Sequence, residues 1–367
     1  MIVCAPILTA TIDALFRELN QRGVRYAVLR NYECFPALDR DGDPTARTDL
    51  DLVVDPGDVP VWREIATSVA KQEGWDILTE CDHWMQSAAR QHHSEAFRFY
   101  RLSPLEFVQV DLFHHGYVLW GLPVFELQEL LTGTVVNKTG RFTHIDPMKE
   151  NIIRLLKVEG LSRRGPASTK LARYRSKLTR FWTAEQRSFT THLRAKFFTF
   201  GEQAMRALQQ GDMTRFARKM RWARTCFLAK FALSHPLQTP RYFVARARDN
   251  RTRFFTRPCG CVVDVYAPGE QERALLRSVM NDLVARNVFE GWKEKTLGSD
   301  ITGGQRAVME QGGLVIQWSD RRSARIDLQQ PFSAQTLTGE LVRILVDRDN
   351  ILFLRPTLAG FRSRRSA

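Results

Sequence analysis

The chain of 367 residues is 44% hydrophobic and 26% charged, which excludes a disordered chain and predicts two or three globular units rather than one core. No apolar run approaches the roughly 20 residues of a membrane-spanning helix, and six scattered cysteines without a CxxC pair argue against a zinc or dithiol redox centre. The formal charge of +14 is concentrated in residues 151–257, which hold 25 Lys or Arg against five Asp or Glu. We therefore expect a cytoplasmic protein with a basic middle region.

The first 150 residues alternate helical and strand patterns. An amphipathic helix is predicted over 9–22, and the apolar run Arg25–Arg30 predicts a buried strand. A polar loop is predicted over 34–47, and the alternation of acidic and apolar residues in Thr48–Asp55 is typical of a half-buried strand. The remaining predicted elements are a helix from Asp58 to Glu73, a strand over Leu105–Phe113, and helices over Val124–Leu131 and Pro147–Val158.

Helical patterns dominate from residue 151 to about 235, with breaks at Gly160–Pro166 and Gly211–Asp212. An arginine-rich loop is predicted from His235 to Pro258. The C-terminal block has predicted strands over Gly260–Tyr266, Gly313–Trp318, Ala324–Leu328 and Ile351–Leu354, and predicted helices over Gly269–Asn287 and Thr336–Val346. These patterns divide the chain into an α/β unit of residues 1–150, a basic helical region of residues 151–256 and a second α/β unit of residues 257–367.

Three aspartates are the candidate catalytic residues. Asp49 and Asp51 are separated by one residue on a predicted strand, so they share one face, and Asp111 lies in a second predicted strand. Neighbouring carboxylates repel one another unless a cation lies between them, and Mg²⁺ prefers carboxylate oxygens. If the two strands are neighbours, the three carboxylates can hold two metal ions that bridge a triphosphate and activate a hydroxyl. The alternative is an exposed polar strand edge.

Three motifs surround these aspartates: Tyr26–Glu33 (YAVLRNYE), Thr48–Val54 (TDLDLVV) and Val110–His114 (VDLFH). Together they resemble uncharacterised nucleotidyltransferases of the polymerase-β superfamily that accompany bacterial capsule and exopolysaccharide loci. The resemblance covers about residues 10–235 and implies an α+β nucleotidyltransferase fold. It also implies two Mg²⁺ ions as cofactors, a nucleoside triphosphate as substrate, and an unidentified hydroxyl or phosphate acceptor.

The same resemblance implies a role for each aspartate. Asp49 and Asp51 would bind the metal ions, and Asp111 would complete the second metal site and help to deprotonate the acceptor hydroxyl. The setting that the family implies is surface-polysaccharide assembly.

Two further residues are candidates for contacts to the nucleotide. Arg30 and Asn31 stand where the wider superfamily has a Gly-Ser phosphate-binding turn, so Arg30 is a candidate for a charge-assisted contact to the triphosphate. The alternative for Arg30 is an ion pair with Asp49 or Glu33. The adjacent His114–His115 follows the third aspartate, and such a pair is more typical of a surface than of metal ligation.

The segment 213–231 is the most basic predicted helix, with apolar residues on one stripe and lysines and arginines around it. Three interpretations remain open: a core helix with a solvated charged face, a helix on an acidic membrane surface, and a helix on a nucleic-acid backbone. No recognisable nucleic-acid-binding motif accompanies it, which makes nucleic acid the less favoured partner. The membrane interpretation would place the protein at the inner membrane face.

The segment Arg257–Leu275 is similar to the phosphate-binding loop of thymidylate-kinase-like domains, in which an Arg-Pro-x-Gly run leads into a strand, a turn and a helix. Arg273 stands in place of the phosphate-binding lysine, and Ala274 in place of the metal-binding hydroxyl. Glu270 and Glu272 replace small residues whose backbone approaches phosphate. We therefore predict a degenerate P-loop kinase-like fold without phosphoryl transfer. An ordinary strand–helix unit explains the same residues.

Three hypotheses for function follow. The first is a Mg²⁺-dependent nucleotidyltransferase that acts on a hydroxyl or phosphate acceptor. The second is a scaffold in which both α/β units have lost their chemistry, which the missing Gly-Ser turn and the altered phosphate loop favour. The third is a nucleic-acid-binding or nucleic-acid-modifying protein, which the basic middle region favours.

Overall fold

The protein is a mixed α/β molecule in the computed structural model. The structure describes residues 6–30, 49–81, 94–114, 116–119, 122–162, 169–241, 243–244, 260–286, 288–289, 291–310, 313–320, 324–328, 333–347 and 349–358. Asn31 and the predicted loop 34–47 lie outside these residues, as does the side chain of Asp49.

Strands and helices alternate in the two outer thirds of the chain, whereas the middle is helical. The strands are β1 (Tyr26–Val28), β2 (Asp49–Val54), β3 (Ile77–Cys81), β4 (Ser94–Leu102), β5 (Leu105–Phe113), β6 (Tyr117–Leu119), β7 (Leu122–Phe125), β8 (Val135–Val136), β9 (Thr143–His144), β10 (Cys261–Tyr266), β11 (Trp292–Lys295), β12 (Leu314–Ser319), β13 (Ile326–Asp327) and β14 (Asn350–Leu354). The helices are α1 (Pro6–Gln21), α2 (Val59–Gln72), α3 (Leu127–Leu131), α4 (Pro147–Ser162), α5 (Thr169–Gln209), α6 (Met213–Ser234), α7 (Glu270–Ala285), α8 (Gly303–Glu310) and α9 (Ala334–Val346).

Eight strands form one mixed sheet in the order β14-β3-β4-β5-β2-β1-β9-β8. β2 is parallel to β5 and antiparallel to β1, whereas β4 is antiparallel to both β3 and β5. One face packs against α1 and α2 through side chains such as Leu52 and Leu112. On the other face, Val53 packs with the helical region and Phe107 with the C-terminal unit. Both faces of the central strands are therefore covered.

Most of the predicted elements of the first unit are confirmed, but the segment Val124–Leu131 is not one helix. Val124 and Phe125 end β7, which pairs with β6, and only the following residues form the short helix α3. All four residues of β7 are buried, and an apolar run that is buried throughout carries no periodicity that separates strand from helix. The sequence pattern also left β3 and β4 unassigned.

The helical region consists of α4 and of the antiparallel pair α5 and α6. α5 is interrupted at Glu185 and again at Phe197–Phe198. The predicted break before α6 is confirmed: Gly211 has a φ of 81°, and the Asp212 carboxylate accepts a hydrogen bond from the Arg215 backbone N–H at 2.8 Å. The chain is helical again at 238–241, inside the predicted loop.

The apolar stripe predicted on α6 is part of the core. Phe216, Met220, Phe227 and Phe231 are all buried and pack with α4 and α5. A membrane that bound this helix would therefore meet its opposite, basic face. Among the described residues, no helix combines the length and apolarity needed to cross a bilayer.

The C-terminal unit contains a parallel sheet in the order β11-β12-β10-β13, with α7 and α9 packed on it. β11 and α8 were not predicted from the sequence. Gly260, directly before β10, lies so close to the backbone of Gly313 that an added Cβ would be 1.8 Å from the Gly313 carbonyl oxygen. A glycine is therefore required there for backbone packing.

The last predicted strand does not belong to the parallel sheet. β14 pairs antiparallel with β3, at the edge of the eight-stranded sheet. The buried Asp349, directly before β14, accepts a hydrogen bond from the Thr79 hydroxyl at 2.8 Å and lies 3.6 Å from the Arg98 guanidinium. The two α/β units of the sequence analysis are thus joined by this returning strand.

Candidate functional site

Two of the three predicted aspartates lie side by side in the middle of the large sheet. Asp51 on β2 and Asp111 on β5 are direct partners in the parallel register. Adjacent strands are about 4.8 Å apart, and registered side chains share one face. Asp51 is 3% exposed and Asp111 is 7% exposed. The pair is therefore buried and is not the exposed strand edge that the sequence left open.

The backbone of Asp49 is opposite Gln109 in the same register, and its side chain lies outside the described residues. Within the described part of the chain, no group of three His, Cys, Asp or Glu side chains is arranged to hold a metal ion. That finding does not include the Asp49 carboxylate, which is the third member of the predicted set.

Arg30 forms a two-pronged ion pair with Asp51. Its Nε donates to Asp51 Oδ2, and its Nη2 donates to Oδ1 at 3.0 Å. The Asp49 side chain and Glu33, which the sequence suggested as ionic partners of Arg30, lie outside the described residues. Asp51 is the observed partner because β1 and β2 are antiparallel: the Leu29 N–H donates to the Asp51 carbonyl at 2.9 Å, which brings the next residue beside the Asp51 carboxylate.

Asp111 has a neutral neighbour on its own strand. The Gln109 side-chain amide donates to Asp111 Oδ1 at 2.8 Å, which fixes the orientation of the carboxylate while leaving its charge in place. Asp51 and Asp111 thus place two carboxylates side by side in a buried position, and carboxylates so close to one another repel.

Tyr117 lies close to the Arg30–Asp51 pair. Burial raises the pKa of the Tyr117 hydroxyl; Asp51 and Tyr174 add to this increase, and Arg30 opposes it. The hydroxyl therefore stays protonated at neutral pH. The sharp turn before Tyr117 requires Gly116, which has a φ of 95° and where a Cβ would lie 2.4 Å from the Phe125 carbonyl oxygen.

His114 contacts residues on the other face of the sheet. Its Nε2 lies 3.6 Å from Glu95 Oε1, and the other oxygen of Glu95 lies 3.2 Å from the Arg63 guanidinium of α2. On β4, Ala96 is the cross-strand partner of Asp111, and Glu95 is the residue before it. Successive side chains of a strand point to opposite faces, so Glu95 lies on the face opposite to the aspartates. His114 therefore lies beside Glu95 on the opposite face of the sheet from the aspartate pair, although it follows Asp111 closely in the sequence.

No sequence pattern predicted three residues of this site: Gln109, Tyr117 and Tyr174. Gln109 stands two residues before Asp111 on a predicted strand, so the period of two could have placed it on the same face. No local pattern marks the tyrosines, because Tyr174 reaches the site only through the packing of α5.

The altered phosphate loop of the C-terminal unit is occupied by internal contacts. The Arg273 guanidinium lies 5.1 Å from the centre of the Trp318 ring, and the Trp318 indole N–H donates to Glu294 at 3.0 Å. Glu270 and Glu272 lie in the first turn of α7. A helix N-terminus attracts anions, but two carboxylates there repel a phosphate.

We expect Arg273→Ala to lower the free energy of unfolding by about 1 kcal/mol, because it removes a cation–π contact, and to leave nucleotide binding unchanged. Urea unfolding and equilibrium binding of ATP measure the two effects. Arg306→Ala, an exposed arginine on α8, is the matched control. Loss of ATP binding in a folded Arg273→Ala protein would contradict the assignment of a purely structural role.

Comparison with known proteins gives no match: no protein-family model, no curated protein and no solved structure is significantly similar to the chain. The resemblance to nucleotidyltransferases and thymidylate-kinase-like domains therefore rests on the motifs quoted above.

Proposed function

We propose that the protein is a Mg²⁺-dependent nucleotidyltransferase with its active site at Asp49, Asp51 and Asp111. The observation that carries this proposal is the register of β2 and β5, which pairs Asp51 with Asp111 inside the molecule. Two buried carboxylates side by side cost free energy unless a cation is bound between them.

The residues present fit a magnesium site because their donors are hard carboxylate oxygens. Bound Mg²⁺ would neutralise charge on the triphosphate and on the leaving pyrophosphate. In the proposed reaction, the acceptor oxygen forms a bond to the α-phosphorus, the bond between the α-phosphorus and the bridging oxygen breaks, and pyrophosphate leaves. Asp111 takes the proton of the acceptor hydroxyl, and Gln109 holds the Asp111 carboxylate in position.

Arg30 has a second role in this proposal. Asp51 would share its two oxygens between a bound Mg²⁺ and the Arg30 guanidinium. The Arg30 side chain would then also be placed to donate to phosphate oxygens, for which its planar geometry is well suited. Asn31, the next residue, remains a candidate for a nucleotide contact.

The finer fold assignments are part of the proposal. The mixed sheet with buried aspartates on two parallel neighbours supports an α+β nucleotidyltransferase fold for the first unit. The parallel sheet with β10 leading directly into α7 supports a degenerate P-loop kinase-like fold for the last one. The resemblance favours an acceptor in surface-polysaccharide assembly.

Equilibrium binding of ATP, CTP, GTP and UTP, each with Mg²⁺ and with EDTA, tests the function. We expect at least one nucleotide to bind only with metal, and Asp51→Asn to weaken that binding by at least about tenfold. Glu95→Gln, on the opposite face of the sheet, should bind as the wild type does.

A catalytically inactive scaffold is the second candidate. It is favoured by Arg30, which occupies both carboxylate oxygens of Asp51, and by the internal contacts of Arg273 in the altered phosphate loop. If a well-folded wild-type protein bound none of the four nucleotides, with or without Mg²⁺, the scaffold would replace the enzyme as the favoured function.

A further inference from the structure

The outward side of α6 carries a cluster of exposed arginines in the first half of the helix. The helix contains six Lys or Arg and no Asp or Glu. Because its aromatic stripe is buried, the residues on the opposite side face solvent. Arg215, Arg218 and Arg221 are all exposed there. They cannot be neutralised by acidic residues of their own helix, unlike Arg194 and Arg206 on α5, which both pair with Glu202.

Large apolar side chains extend this surface along the helix. Trp222 is half exposed and stacks on Phe200 of α5, with 6.0 Å between ring centres. Leu233, eleven residues further on and thus on the same side of the helix, is 84% exposed. Leu237, just after the helix, is 83% exposed. These exposed apolar side chains follow the arginines in the chain, and exposed apolar groups that cluster mark interaction sites.

The same character continues beyond the helix end. Phe243 and Val244 are exposed, and so is the neighbouring Arg241. We define the α6 surface as the exposed residues Arg215, Arg218, Arg221, Trp222, Leu233, Leu237, Arg241, Phe243 and Val244. It combines positive charge with aromatic and aliphatic groups, and the nearest acidic residue in the chain is the N-cap Asp212.

We propose that the α6 surface binds the headgroup region of an anionic phospholipid bilayer. Arginines attract acidic lipid headgroups over the range of the Debye length. Trp222 is a residue type that membrane interfaces favour, and Leu233 and Leu237 can leave water by entering the boundary between headgroups and acyl chains. The arginines thus complement the negative charge of the lipid headgroups, and the apolar residues complement the hydrocarbon below them.

A nucleic-acid backbone would complement the arginines of the α6 surface but not its aliphatic residues. Phosphates would satisfy the arginines, and bases could stack on Trp222. Aliphatic side chains such as Leu233 and Leu237 would gain little, because a backbone groove offers them no apolar environment. The exposed leucines therefore favour the lipid surface, and this inference does not depend on the proposed nucleotidyl transfer.

Co-sedimentation of the full chain with vesicles tests the proposal. One set of vesicles is phosphatidylcholine alone, and the other contains equal parts of phosphatidylcholine and phosphatidylglycerol. We expect binding to the second set only, with a strong decrease as salt is raised. The triple variant R215E/R218E/R221E should bind at least about 100-fold more weakly, since each arginine near a charged bilayer contributes severalfold.

The control variant R17E/K138E/R306E reverses three exposed cations elsewhere on the molecule and so produces the same change in net charge. It should lose far less binding than the α6 variant. A second variant, L233S/L237S, should weaken vesicle binding and keep the attraction to charge, because it removes only apolar contact.

Two results would overturn the proposal. One is equal vesicle binding by the α6 variant and the control variant, which would reduce the effect to net charge. The other is tight, arginine-dependent binding of duplex DNA together with no vesicle binding, which would assign the surface to nucleic acid. Circular dichroism of each variant verifies that the fold is retained.

Discussion

Asp111→Asn is expected to lower the rate of nucleotidyl transfer by about a thousandfold or more, because it removes both a metal ligand and the proposed base. The fold should tolerate the change. Asparagine has nearly the same shape, and the Gln109 amide can still donate to its carbonyl oxygen. Single-turnover rates, measured with the nucleotide and acceptor identified in binding experiments, give the size of the effect.

Glu95→Gln is the matched control for Asp111→Asn. It also neutralises a partly buried carboxylate on the neighbouring strand β4, but on the face that contacts Arg63 of α2. We expect its transfer rate to remain within a few fold of wild type. A wild-type rate in Asp111→Asn would eliminate Asp111 as base and as ligand.

Asp349→Ala is expected to lower the free energy of unfolding by about 3–5 kcal/mol, the usual cost of removing one partner of a buried ion pair. The Asp349 carboxylate is fully buried and lies 3.6 Å from the Arg98 guanidinium, which is 5% exposed. It also accepts the hydrogen bond of the Thr79 hydroxyl. The substitution removes both contacts where β14 joins the large sheet, so the returning strand should be the first element to separate.

Urea unfolding of Asp349→Ala and of a control, Asp347→Ala, measures this effect. The control removes an ion pair between Asp347 and Arg325 at 3.5 Å in which both side chains are exposed, so it should cost at most about 1 kcal/mol. Similar losses in the two variants would contradict a special role for the buried pair. Protection of β14 amides in hydrogen exchange locates the change.

The aspartate pair was accessible from the sequence because its signals are local. Asp51 and Asp111 each stand between apolar neighbours on a strand-like run. Because side chains alternate between the two faces of a strand, each aspartate is expected on the face opposite to its apolar neighbours. The parallel pairing of β2 with β5 was not accessible. Which strands become neighbours depends on packing across the whole sheet, and β2 and β5 are separated in the chain by two other strands of that sheet.

The same limit explains the elements that the sequence did not predict correctly. The ion pair of Arg30 with Asp51 was not predicted; it forms because β1 and β2 are antiparallel neighbours. β14 was predicted as a strand, but its pairing with β3 was not, because their contacts join distant parts of the chain; Thr79 and Asp349, which are hydrogen-bonded, lie 270 residues apart. The buried stripe of α6 follows its periodicity, whereas the exposed leucines beyond it needed the three-dimensional structure.

The proposed metal site at Asp51 and Asp111 is tested most directly by anomalous diffraction from crystals grown with Mn²⁺ and a slowly hydrolysed nucleoside triphosphate. We expect manganese peaks about 2.2 Å from carboxylate oxygens of both aspartates, with the Arg30 guanidinium within hydrogen-bond distance of the phosphates. The proposal would be contradicted by a crystal in which the nucleotide is bound, no manganese lies at these carboxylates, and Arg30 still donates to both oxygens of Asp51.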